Sequence, residues 1–191
     1  MRHLKIFLFI IVASIFASCS HKESEKRSMY YWRTSLHLTS PEREFLLQHH
    51  VSRLYVRYFD VVCDNAGNSR PNATLSFDDK LPAGLEIVPT VYILNDCMRH
   101  DDPLLAGRIL KRVRQMNETN DVGPLKELQI DCDWTLQTRQ CFFKFLRQLH
   151  ALCQKNHVRL SATIRLHQLS QPVPPVDRGV LMVYNTGDVT R

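Results

Sequence analysis

The sequence predicts an α/β fold: a (β/α)8, TIM-barrel-like domain that is incomplete and carries about six of the eight strands. Three observations lead there. Apolar runs bounded by turn residues alternate with stretches of helical spacing, the pattern of parallel βαβ units. Polar residues gather where the predicted strands end, at Asp60, Asn95-Asp96, Asp131-Asp133, Arg165-His167 and Tyr184-Asn185, which is where barrel enzymes place their sites. Neither GxGxxG nor a phosphate-binding GxxxxGK follows the first strand, which weakens a nucleotide-binding, doubly wound sheet. A complete barrel takes about 250 residues. This chain has 191 and reaches Thr190-Arg191 with no helix after its last predicted strand. The expectation is therefore a C-terminally truncated barrel, with a smaller complete α/β fold as the alternative.

Taken in order, Tyr30 to Leu38 is aromatic and β-branched enough for a first strand. Thr39 or Ser40 can cap a helix with Pro41 at its first position and Glu42 and Glu44 in its first turn, running to about His50. Val51 to Val62 is a long strand in which Leu54, Val56 and Tyr58 alternate with Arg53, Tyr55 and Arg57. Asp64 to Pro82 is rich in turn residues and predicts a loop. Leu85 to Leu94 is the third strand. Leu104, Leu105, Ile109, Leu110 and Val113 then mark a helix from Pro103 to Asn117. After Gly123-Pro124 comes the strand Leu125 to Trp134. Thr138 can cap the next helix, which carries Phe142, Phe145, Leu146, Leu149, Leu152 and Cys153 on one stripe. Val158 to Leu169 and Gly179 to Asn185 complete the strands, with a proline-rich loop between them.

The N-terminus carries a targeting pattern. Arg2, His3 and Lys5 precede the apolar run Ile6 to Phe16, and Ala17-Ser18-Cys19 follows, which reads as a charged region, an apolar core and a small-residue cleavage site. The apolar run is too short to span a bilayer. Residues 1–18 are thus expected to be a signal peptide, the polar stretch 19–28 a flexible tether, and residues 29–191 the partial barrel. The formal net charge is +6, but the basic residues are dispersed. Arg108, Lys111, Arg112 and Arg114 form the dense cluster, on a predicted helix, where a solvated face is the expectation rather than a nucleic-acid surface. Cys63, Cys97, Cys132, Cys141 and Cys153 form no CxxC pair, so no structural zinc site or redox motif is supported. Buried free thiols are expected, although an exported protein could pair some of them. No cofactor and no metal are expected.

The site is centred on the stretch from Leu128 to Thr135. Alternation puts Gln129, Asp131, Asp133 and Thr135 on one strand face and Leu128, Ile130, Cys132 and Trp134 on the other. Asp131 and Asp133 would lie about 6.6 Å apart. Carboxylates on a buried face need partners, a ligand or water, and Arg57 and Arg165 could supply bidentate pairing. Three roles stay open for the two acids: structural ion pairs, ligand binding and catalysis. His167, placed with Arg165, Ser161 and Thr163 on one face, could act as an acid or base or be structural. Trp32 or Trp134 could stack on a sugar or pack in the core.

Asp131-Cys132-Asp133-Trp134-Thr135 resembles the fourth-strand signature of glycoside hydrolase family 18, the chitinase-like barrels, whose pattern is Asp-x-x-Asp-x-Asp-x-Glu with Trp often before the Glu. Asp131 and Asp133 match the second and third acids and Trp134 the tryptophan. Leu128 stands at the first Asp and Thr135 at the catalytic Glu. Met182-Val183-Tyr184-Asn185 resembles the sixth-strand motif whose tyrosine and neighbour hold the substrate's N-acetyl group. The cysteine after Phe16-Ala17-Ser18 resembles the bacterial lipoprotein box, which implies lipidation at Cys19. The exported portion also resembles Bacteroidota lipoproteins with no assigned activity. These resemblances imply a lipid-anchored envelope protein acting on or binding a glycan. Asp131 and Asp133 would be at the reaction centre, and Tyr184, Asn185, Arg165, His167, Trp134 and Asp60 would contact substrate. The departure at Thr135 removes the usual acid. A non-catalytic glycan-binding or structural envelope lipoprotein is the alternative.

Overall fold

In the computed structural model, residues 26–64 and 67–183 are described. They form β1 (Arg27–Tyr31), β2 (Ser35–Leu36), α1 (Ser40–Gln48), β3 (Val51–Cys63), β4 (Ser69–Asn72), β5 (Ser76–Phe77), β6 (Glu86–Ile93), α2 (Leu105–Thr119), β7 (Glu127–Asp131), α3 (Arg139–Lys155), β8 (Arg159–Arg165) and β9 (Arg178–Met182). Two 3-10 turns, Asn95–Arg99 and Leu166–Gln168, follow β6 and β8.

The main sheet runs β1-β3-β6-β7-β8-β9, all parallel, with β4 added antiparallel to the end of β3. Each long strand lands beside the one before it, always in the same direction. Right-handed crossovers then put every connecting helix on one face of the sheet. The result is an open half-barrel with three helices. The six parallel strands agree with the expected number, and closure into an eight-stranded barrel is not seen among the described residues.

The helix-covered face is apolar. Leu54, Val56, Val91, Ile93, Leu128, Ile130, Leu160 and Ala162 are buried there with Ile109, Val113, Phe142, Leu146 and Leu149 of α2 and α3. Burying side chains of this size is the main favourable term in folding. Each helix ends in a non-glycine residue of left-handed conformation: His50 after α1, Asp121 after α2 and His157 after α3. Each lies one residue past the cap, where glycine is usual.

Several element boundaries differ from expectation. The expected tether to Ser28 is too long: Arg27 and Ser28 already pair with Val51 and Arg53. Residues 1–25, with the signal peptide and Cys19, lie outside the described residues. The first strand stops at Tyr31 because its hydroxyl closes a turn, donating to Ser35 O at 2.8 Å and accepting from His37 N at 3.1 Å. The expected loop from Asp64 to Pro82 contains β4 and β5, and β5 pairs with β2 in a separate two-stranded sheet. Thr138 sits at the start of α3 without capping it. Its hydroxyl donates to Asn95 Oδ1 at 2.6 Å and accepts from Thr135 N at 2.9 Å.

Candidate functional site

The face without helices carries the polar residues. Alternation places Arg53, Tyr55 and Arg57 of β3, Glu86, Thr90 and Tyr92 of β6, Glu127, Gln129 and Asp131 of β7, and Ser161, Thr163 and Arg165 of β8 on this side. Asp60 joins them through a bulge. The β3–β6 register slips between Arg57 and Phe59; without that slip, Asp60 would fall on the apolar side with Tyr58. Instead Tyr58 stays in the core, its hydroxyl donating to Asn117 Oδ1 at 2.8 Å, and Asp60 pairs with Arg57, whose Nε donates to Oδ1 at 2.6 Å.

The polar face is organised in levels. At the N-terminal end, Glu127 is 2% exposed and gathers three donors and a neighbouring guanidinium. Arg178 reaches it at 2.7 and 2.9 Å, Ser161 Oγ at 2.7 Å, Tyr55 Oη at 3.4 Å, and Arg53 lies 3.7 Å away. Arg53 also pairs with Glu86 at 3.0 Å. Mid-face, Gln129 Oε1 accepts from Tyr30 Oη at 2.9 Å and Thr90 Oγ1 at 3.3 Å.

At the C-terminal end, one guanidinium bridges the two candidate acids. Arg165 Nη2 donates to Asp131 Oδ1 at 3.0 Å, and Arg165 Nε donates to Asp133 Oδ1 at 2.5 Å. Thr163 Oγ1 donates to Asp131 at 2.5 Å. The Asp131 side chain is 3% exposed and that of Asp133 47%. Burial pushes the Asp131 carboxyl above the usual carboxylate range, against the pull of the Thr163 hydrogen bond and Arg165. Burial raises Tyr92 as well, with Asp133 and Asp131 adding to it. Beside this group Trp32, 38% exposed, stacks on Tyr30 with centroids 5.7 Å apart. The Arg57 guanidinium lies 5.9 Å from the Trp32 ring and 6.0 Å from that of Tyr92. The open end thus combines an exposed carboxylate fixed by Arg165 with exposed aromatic surface.

The structure brings Asp131, Asp133 and Arg165 together and separates other residues expected at the site. Strand β8 ends at Arg165, so His167 falls in the following 3-10 turn and is exposed. It lines a 530 Å³ groove with Thr135, Gln137 and Gln171. Trp134 is 1% exposed, with its ring 6.1 Å from Phe142 and 5.4 Å from Phe143, so the substrate contact expected of it gives way to core packing. Asp60 is buried against Arg57, so its expected contact with substrate gives way to an ion pair. Tyr184 and Asn185 lie outside the described residues. Thr135, at the position of the resembled Glu, is an exposed loop residue whose backbone N–H is bound by Thr138.

Sequence reasoning missed Glu127, Arg178 and Tyr92. Glu127 was findable, since the alternation through Asp131 and Gln129 continues two residues back. Among the described residues no group of three or more His, Cys, Asp or Glu could hold a metal, and no helix is long and apolar enough to cross a membrane. The arginines of α2 are engaged locally: Arg108 with Asp102, Arg112 with Thr74 and Arg114 with Asn156.

No family model and no curated protein matches the chain. Among solved structures it is similar to the spore cortex-lytic enzyme SleL of Bacillus cereus, with 16% identity, a TM-score of 0.46, and coverage of 85% of this chain and 42% of that one. It is also similar to the C-terminal domain of a candidate chitinase from Desulfitobacterium hafniense, with 10% identity, a TM-score of 0.47, and coverage of 74% and 46%. The chain spans less than half the length of either.

Proposed function

We propose that the chain binds a glycan at the open end of the polar face, through Asp133, Arg165, Tyr92, Arg57 and Trp32. The observation that carries this reading is the half-exposed Asp133 carboxylate, fixed by Arg165 and continued through Tyr92 and Arg57 to the exposed ring of Trp32. A sugar offers an apolar C–H face and an edge of hydroxyls. Trp32 suits the face, and a charged acceptor held in one orientation suits the hydroxyls. Asp131, buried behind Asp133, holds Arg165 in place. The resemblance of Asp131 to Thr135 to the chitinase-like signature supports the ligand class, and threonine at the acid's position supports binding without cleavage. Proton transfer from a positioned acid contributes roughly 10²- to 10⁴-fold to such reactions, and a threonine hydroxyl does not supply it near neutral pH.

Calorimetric titration of the full-length protein with N-acetylglucosamine oligomers and soluble peptidoglycan fragments tests this reading. Saturable binding is expected, with no new reducing ends after long incubation. Asp133→Asn keeps the size of the side chain and removes its charge. Because hydrogen bonds to charged groups are worth about 1.5–3 kcal/mol, that variant is expected to weaken binding about tenfold or more. No binding by the parent protein would overturn the proposal.

A second reading, hydrolysis, is favoured by the resemblance of Asp131 and Asp133 to the second and third acids of the chitinase-like signature. Release of reducing ends by the parent protein and its loss in Asp131→Asn would establish it.

We also propose that the chain is a lipid-anchored envelope protein, on the support of the pattern from Arg2 to Cys19. Cells fed an alkyne-tagged fatty acid are expected to label the parent protein and not the Cys19→Ala variant. Equal labelling of both would remove the anchor.

A further inference from the structure

Cys63 closes β3 on its helix-facing side, where it packs against the core and is half-buried. Cys97 lies in the 3-10 turn after β6, the strand paired with β3, and is buried. Two contacts bring the residues together. Cys97 Sγ donates to Val61 O at 3.5 Å, and Val61 is two positions before Cys63 on the same strand face. The two thiols are also close enough for Cys63 to bear on the ionisation of Cys97. Cys63 Sγ has Gly67 O at 3.8 Å and Ser69 Oγ at 4.0 Å around it, which places it at the rim of the β3–β4 hairpin. The third thiol in this region, Cys132, is buried beyond Cys97.

We propose that Cys63 and Cys97 form a thiol–disulfide exchange site and close to a disulfide when the folded protein meets a small disulfide such as oxidised glutathione. The half-buried Cys63 thiolate attacks one glutathione sulfur, forming a mixed disulfide and releasing one glutathione thiolate. The Cys97 thiolate then attacks the Cys63 sulfur, which forms the protein disulfide and releases the second glutathione. Two protein thiols are oxidised, one glutathione disulfide is reduced to two thiols, and the two protons lost by the cysteines go to the released glutathiones. Burial and the neighbouring Cys63 raise the Cys97 thiol, which slows the second step. The closed bond ties the C-terminal ends of β3 and β6 together. The inference is independent of the glycan reading.

The test uses the full-length protein, reduced, desalted and then incubated under native conditions with oxidised glutathione. Free thiols are alkylated before digestion with trypsin. Cleavage after Lys80 separates the peptide bearing Cys63 from the one bearing Cys97. The expected product is these two peptides linked, together with a rise of about 10 °C in melting temperature that dithiothreitol reverses, the size expected when a loop of about 35 residues is closed. Cys63→Ser and Cys63→Ala are expected to abolish both the link and the rise, and Cys141→Ser is expected to keep both. Glutathione remaining on Cys63 with no link to Cys97, a link from Cys97 to Cys132, or no oxidation of either cysteine would each overturn the proposal.

Discussion

Replacing Glu127 with alanine is expected to lower the melting temperature by about 10 °C. The carboxylate is buried and holds Arg178, Ser161 and Tyr55, with Arg53 close by. It thereby ties β3 and β9 to β7 and β8 across the polar face. Truncating it leaves two guanidinium groups facing a cavity. Removing one partner of a buried ion pair costs about 3–5 kcal/mol, and each kcal/mol shifts the midpoint of a domain of this size by about 2–4 °C. Thermal unfolding followed by circular dichroism measures the shift. Glu127→Gln keeps the hydrogen bond from Ser161 and loses the charge, so it should fall between the two. A midpoint for the alanine variant within about 2 °C of the parent would show that the cluster is not a staple.

The second large effect is expected at Arg165. Arg165→Met removes the bridge and leaves Asp131 buried beside Asp133, with Thr163 still donating to it. Destabilisation of about 3 kcal/mol or more is expected at neutral pH, with the open end of the polar face loosened along with it. The pH dependence separates this from simple loss of packing. The folded-state Asp131 carboxyl already titrates above its ordinary value, chiefly through burial. Losing the opposing guanidinium raises it further, so the folded variant binds more protons than the unfolded chain between the ordinary aspartate value and the raised one. Stability then falls as pH rises through that window and returns as pH is lowered towards it. The variant should therefore recover relative to the parent on going from neutral to mildly acidic pH. Chemical denaturation at several pH values gives the comparison, and an equal deficit at all of them would show that charge is not the cause.

The six parallel strands and three helices were legible because each has its own periodicity, and because turn residues separate them. Asp131, Asp133 and their shared partner Arg165 were legible from alternation and from the chemistry of arginine. What was not legible depends on geometry that spacing does not carry. Asp60 reaches the polar face through a bulge, and a single inserted residue leaves no mark on composition. β7 ends at Asp131, yet Trp134 stays on the apolar side that the alternation gave it, against Phe142 and Phe143 of α3. His167 was assigned to a strand that stops two residues earlier. The helix ends at His50, Asp121 and His157 carry no glycine, so the usual marker of a left-handed cap was missing.

The order β1-β3-β6-β7-β8-β9 has a consequence for how the protein assembles. Every parallel pairing of the main sheet joins a strand to the next long strand along the chain, so none of these steps must bring distant ends together. Closing a segment costs free energy that grows only with the logarithm of its length, so crossovers that run from 12 to 33 residues here differ by only about 1 kcal/mol. Each strand and its crossover therefore add to the previous edge at a comparable entropic cost, and relative contact order stays lower than in a sheet of shuffled strands. Such a chain can grow from its N-terminal end while it is still being synthesised. Each added unit covers apolar surface left open by the one before, and the buried charges of β7 meet Arg165 and Arg178 only when β8 and β9 arrive.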